Sequence, residues 1–163
     1  MSAVLLAALL APSLPSGVDQ GVHQAQVAVI AAMPAAHRGY FKRYCVAIVP
    51  GRLEHPATDQ ARAGSVRLRP DPPRTVLKDL RRQSSAFVPA SECATVGEAL
   101  GHRATGVTPV VVVVVGPVEV VTSSRVLVTV KTDGGYLTET FTLYTLENRN
   151  GWRIVSEKIF LQA

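Results

Sequence analysis

The sequence predicts an α+β domain: an N-terminal helix packed on an antiparallel β-meander of three to five strands, with a second short helix near residues 72–83. Three observations lead there. Val18, Val22, Ala25, Val29 and Met33 recur at three- and four-residue steps, the period of one helix face. Thirteen of the 24 residues from Val107 to Val130 are valine, which crowds χ1 in a helix and suits a pleated sheet. Beyond them, two glycine-containing turn signals separate stretches that alternate apolar with polar. The chain has 163 residues, 47% hydrophobic and 18% charged. That is one domain, with too little charge for a disordered chain. At this size roughly 70% of the unfolded surface can be buried, so no metal or dense disulfide net is needed.

Residues 1–17 read as a signal peptide. Met1 to Val18 carries no charged side chain, and Ala3 to Ala11 is an apolar run followed by prolines, serines and a glycine. Nine helical residues span only about 14 Å, too short for a bilayer. Only the amino terminus supplies positive charge, so the alternative is an apolar first helix of a cytoplasmic domain. Residues 18–163 then form the domain. Its first helix runs Asp19 to Met33, with Asp19 placed to cap the start and Pro34 to end it. Arg38, Lys42 and Arg43 surround Tyr40, Phe41 and Tyr44, and Cys45 to Val49 reads as a short buried strand stopped by Pro50-Gly51.

Residues 51–70 show no period and predict a mobile basic loop. In the second helix Asp71 is placed as N-cap and Pro72 as first helical residue. Val76, Leu77 and Leu80 form its apolar stripe, and Arg74, Lys78, Arg81 and Arg82 take the other face. Ala86 to Ala90 is a brief strand or an extended link leading to Cys93, and Thr95 to Leu100 reads as a helical turn. Val110 to Val115 is six valines in a row, a strand covered on both faces, with the N-terminal helix on one of them. Gly116-Pro117 breaks or bends it. Arg125 to Lys131 alternates, Thr132-Asp133-Gly134-Gly135 turns, Tyr136 to Leu146 is the next strand, Asn148 to Gly151 turns again, and Trp152 to Leu161 closes the meander.

Cys45 and Cys93 stand 48 apart, which excludes a local metal knuckle or a Cys-x-x-Cys redox pair. In an oxidising compartment they predict one disulfide, whose loop would stabilise the fold by about 4 kcal/mol. The alternatives are two buried free thiols or a nucleophile. Glu92 beside Cys93 opposes the last by disfavouring the thiolate.

Phe141-Thr142-Leu143-Tyr144-Thr145-Leu146-Glu147-Asn148-Arg149-Asn150-Gly151-Trp152-Arg153-Ile154-Val155 resembles the last hairpin of nuclear-transport-factor-2-like domains, and also that of many small exported bacterial domains. The resemblance implies N-terminal helices against a curved sheet that encloses a cone-shaped pocket. Tyr136, Tyr144 and Trp152 would then line the pocket, with His102 as a base. No catalytic residue carries over, because only the hairpin matches.

Other motifs are missing. The four histidines, His23, His37, His55 and His102, show no ligand spacing, so no metal site is expected. There is no nucleophile elbow and no glycine-rich phosphate loop, and nothing calls for a cofactor. Asp71 and Asp79 read as a cap and a surface pair partner. From Arg38 to Arg82 there are 11 basic and 4 acidic side chains, the footprint of an anion-binding stripe. Its aromatics cluster in one run and are not interleaved along it, which argues against nucleic acid. The sequence therefore points first to a non-catalytic exported binding or interaction domain for a small molecule or a protein. A pocket protein of the family named above, ligand-binding or a cofactor-free enzyme, comes second. A weak anion or nucleic-acid binder acting through residues 38–82 comes third.

Overall fold

The computed structural model describes residues 16–53, 70–93, 110–134 and 139–162. Most of the expected signal peptide, most of the 51–70 loop, the Thr95–Leu100 turn, His55, His102 and Tyr136 lie outside the described residues. The chain orders as helix α1 (Ser16–Ala31), helix α2 (Met33–Ala36), strand β1 (Arg43–Ile48), helix α3 (Arg74–Gln83), strand β2 (Phe87–Pro89) and a 3-10 turn (Ala90–Cys93). Strands β3 (Val110–Thr122), β4 (Arg125–Asp133), β5 (Glu139–Asn148) and β6 (Trp152–Gln162) follow. This is the α+β class, with an N-terminal helix on a sheet.

The sheet has six strands in the order β2-β1-β3-β4-β5-β6. From β3 to β6 it is the expected antiparallel meander. At its other side β1 pairs parallel with both β2 and β3, so the whole is mixed and one strand larger than the sequence predicts. The cause is connectivity: β1 reaches β2 through α3, a crossover that returns the chain in the same direction.

α1 buries Ala25, Gln26, Val29 and Ile30, and Met33 at the start of α2 continues the same stripe. Pro34 does not stop helical structure outright. α1 ends at Ala31, and Pro34, which lacks an N–H, falls in the first turn of a further short helix. Asp71 does not cap α3 either. The N-cap is Pro73, two residues further on and out of reach of the Asp71 side chain. That carboxylate instead accepts from the Ser91 backbone N–H (2.8 Å) and hydroxyl (2.6 Å), tying the 3-10 turn to the start of α3.

Both helices lie on one face of the sheet. Ala25, Val29, Ile30 and Met33, with Val76 and Leu80 of α3, pack on Tyr44, Val46, Phe87, Val111, Val113, Val115, Val126, Val128, Val130, Tyr144 and Leu146. A smaller cluster covers the opposite face of β1 and β3. There Cys45, Ala47, Val88, Ala90, Cys93, Val110, Val112 and Val114 pack together, joined by Val49 and Leu53. The valine run is thus buried on both sides, which explains its lack of alternation. Cys45 and Cys93 form a disulfide, Cα atoms 6.1 Å apart, at the centre of this second cluster.

Gly116-Pro117 does not end β3. The ladder shifts register between Val115 and Val118 and continues, a bulge being a place where a strand accommodates proline. Past it β3 leaves the core, and Glu119 to Thr122 are exposed. The Asn148 to Gly151 turn forms as expected, with positive φ at Asn150 (82°) and Gly151 (121°); in the turn after β4, Gly134 does not take positive φ, and Gly135 lies outside the described residues.

Candidate functional site

The basic side chains split in sequence are brought together by strand direction. β1 and β2 run parallel, with Tyr44 beside Phe87, so their starting ends share one edge of the sheet. The Tyr44 N–H donates to the Ala86 carbonyl at 2.9 Å. What precedes β1 is the Arg38, Lys42, Arg43 segment, and what precedes β2 is the C-terminal turn of α3 with Arg81 and Arg82. One rim therefore collects cations from two segments about forty residues apart.

Along α3, Arg74, Lys78, Arg81 and Arg82 follow helical spacing and line, with Leu77, an open groove of about 600 Å³. An adjoining groove of about 480 Å³ runs between α1 and α3, lined by Gln20, His23, Gln24, Thr75, Lys78, Asp79 and Arg82. Asp79 organises it. His23 Nε2 donates to Asp79 Oδ2 at 2.8 Å, and Arg82 Nη1 donates to Asp79 Oδ1 at 2.8 Å. Arg81 donates to the Phe87 carbonyl (3.3 Å) and to Glu92 (3.3 Å). Neither Asp79 nor Glu92, the carboxylates at this face, forms an ion pair within 4 Å with Arg74 or Lys78.

The His23 bond, with help from the charges of Arg82 and Lys78, holds the Asp79 carboxyl below the usual aspartate range. Asp79 then binds fewer protons folded than unfolded in acid. Its contribution to stability is full above pH about 4 and is lost as the pH falls through the depressed value. Asp79→Asn is expected to flatten the fall in Tm between neutral pH and pH 3, read by thermal unfolding across that range. An unchanged slope would show that the pair is not formed in solution.

With Asp79 on its Nε2, His23 ties α1 to α3. Among the described residues there is no free cysteine and no group of three His, Cys, Asp or Glu side chains able to hold a metal. A separate groove of about 320 Å³ lies at the hairpin tips, where Glu147 accepts from Arg125 and Arg149. These guanidinium groups lower the Glu147 carboxyl.

Of the four side chains tied to a pocket, two are described. Tyr144 is buried on the helix-facing side, opposite Val128 and Glu157. Burial, and then the Glu157 charge, raise its hydroxyl pKa. Trp152 packs against the same core at α1, where a Cβ on Gly21 would stand 3.9 Å from its ring. The Leu146–Ile154 pair lies between them on the ladder.

His37 is half-buried, set edge-on to Phe41 (centroids 5.1 Å) and 6.2 Å from Tyr44. Burial lowers the His37 pKa and raises that of Tyr44.

The His23–Asp79 pair was invisible in sequence because its partners are 56 positions apart and meet only where α1 crosses α3. The one available signal was that each lies on the polar side of its own amphipathic helix. Compared with known proteins, the chain matches no family model, no curated protein and no solved structure.

Proposed function

We propose that this chain is a non-catalytic binding domain of an exported protein, and that its ligand is an anionic partner held on the α3 face. One observation carries the reading. Arg74, Lys78, Arg81 and Arg82 line adjoining open grooves, and neither Asp79 nor Glu92 forms an ion pair within 4 Å with Arg74 or Lys78. An excess of cations over carboxylates around a concavity favours an anion and speeds its arrival. The disulfide supports export, since such bonds persist in oxidising compartments. So does the apolar run from Ala3 to Ala11, and no described helix is long and apolar enough to cross a membrane.

Heparin, a soluble polyanion, tests this. Affinity is expected to fall linearly with the logarithm of salt concentration. Arg74→Gln with Lys78→Gln should reduce that slope by about one unit per cation removed. Absence of heparin binding at low salt would overturn the reading. A second reading, the nuclear-transport-factor-2-like pocket, draws on the buried, unpartnered Tyr44 hydroxyl and Trp152 Nε1, polar atoms that a ligand inside the domain could satisfy.

A further inference from the structure

We infer that the anionic partner is a lipid surface, and that the turn carrying Tyr40 is the part of the domain that enters it. The inference rests on the anionic-partner reading above and names the class of that partner.

Tyr40 is 68% exposed, more than any other large hydrophobic side chain described. It is not on a loose loop. The Gly39 N–H donates to the Pro34 carbonyl (2.9 Å) and the Tyr40 N–H to the His37 carbonyl (3.0 Å). Lys42 Nζ reaches the Gly39 carbonyl (3.4 Å). Behind it Phe41 seats its ring against Gly134, where a Cβ would stand only 2.6 Å from Cζ. The turn takes positive φ at Arg38 (50°) and Gly39 (67°). A non-glycine residue held there is uncommon. The effect is to hold an exposed aromatic ring edge-on against Phe41 (centroids 5.0 Å), flanked in sequence by Arg38, Lys42 and Arg43.

Strand direction puts Arg81 and Arg82, paired with Glu92 and Asp79, at the same edge of the sheet, so the cations nearest the exposed phenol in the chain are Arg38, Lys42 and Arg43. A tyrosine with an apolar ring and a wet hydroxyl fits the headgroup depth of a bilayer. Each basic residue near an anionic leaflet contributes about fivefold in affinity. A strand of bases would ask for successive stacking platforms. Phe41 and Tyr44, the neighbouring aromatics, are turned into the fold, half-buried and buried, which leaves Tyr40 as the projecting ring on this turn.

The test is co-sedimentation of the full, disulfide-bonded chain with vesicles of phosphatidylcholine alone and of phosphatidylcholine mixed with phosphatidylglycerol. Binding is expected to the mixed vesicles only. Arg38→Gln or Lys42→Gln should each weaken it about fivefold, and Tyr40→Ser by a similar factor. Tyr40→Trp should keep binding and add blue-shifted emission to that of Trp152 when vesicles are present. Tyr40→Ser binding as tightly as the parent would overturn the role of the turn. Heparin binding without vesicle binding would overturn the lipid inference and leave the anionic-partner reading standing. Failure of both would remove both.

Discussion

Replacing both cysteines, Cys45→Ala with Cys93→Ala, is expected to lower stability by about 4 kcal/mol. The bridge closes a loop of 48 residues, and loop-closure entropy of that length gives this figure. For a domain of this size it corresponds to a fall in Tm of roughly 8–16 °C. The native state explains why the loss is not regained elsewhere. β2 is only three residues long and lies at the edge of the sheet. Besides its ladder with β1, it is anchored by the 3-10 turn that ends in Cys93. Cys45 and Cys93 are both fully buried in the smaller core cluster, so opening the bridge loosens the cover over Val110, Val112 and Val114 as well as freeing the unfolded chain. Urea unfolding of the oxidised protein, the reduced protein and the double variant checks this. The reduced forms should also show a steeper denaturant dependence, because an unbridged unfolded chain exposes more surface. Equal midpoints for oxidised and reduced protein would refute it.

The parts of the fold that a sequence exposes are those whose pattern is local. The alternation of Val126, Val128 and Val130 fixes which side of β4 faces the core, and the structure buries those three. The spacing of Ala25, Val29 and Met33 likewise marks the buried stripe that runs from α1 into α2. The parallel pairing of β1 was less legible. Its burial is uniform from Tyr44 to Ala47, and a short continuous apolar run does not reveal its neighbours. The six valines did signal cover on both faces. That the second cover is a disulfide, a 3-10 turn, Val49 and Leu53 depends on residues from irregular segments, which carry no period. The candidate site shows the same division. Arg74, Lys78, Arg81 and Arg82 share a helix face that spacing discloses. The rim that adds Arg38, Lys42 and Arg43 exists only because β1 and β2 start at one edge, and the His23–Asp79 clamp only because two helices cross. Asp71 was misleading because Asp-Pro-Pro has the composition of a helix start, while its carboxylate was engaged by Ser91 twenty positions on.

Three aspartate substitutions along β3 separate the two halves of the valine strand. Val113→Asp is expected to unfold the domain. Its side chain is fully buried against the helices, and its ladder partners are Val46 and Thr132, neither of them a cation. An uncompensated buried carboxylate costs several kcal/mol, a large part of the 5–15 kcal/mol typical for a whole domain. Val112→Asp is expected to do the same on the opposite face, where Val112 is equally buried beside the disulfide. Val121→Asp should be tolerated within about 0.5 kcal/mol, since Val121 is 52% exposed beyond the bulge. Circular dichroism and thermal unfolding of the three variants give the comparison. The discriminating member is Val112→Asp: if it folds with the parent's Tm, the second face is open to water and the sheet is covered on one side only. If it fails together with Val113→Asp while Val121→Asp melts like the parent, the valine run is one strand in two environments. Its inner half is then held by packing on both faces and its outer half by ladder hydrogen bonds alone.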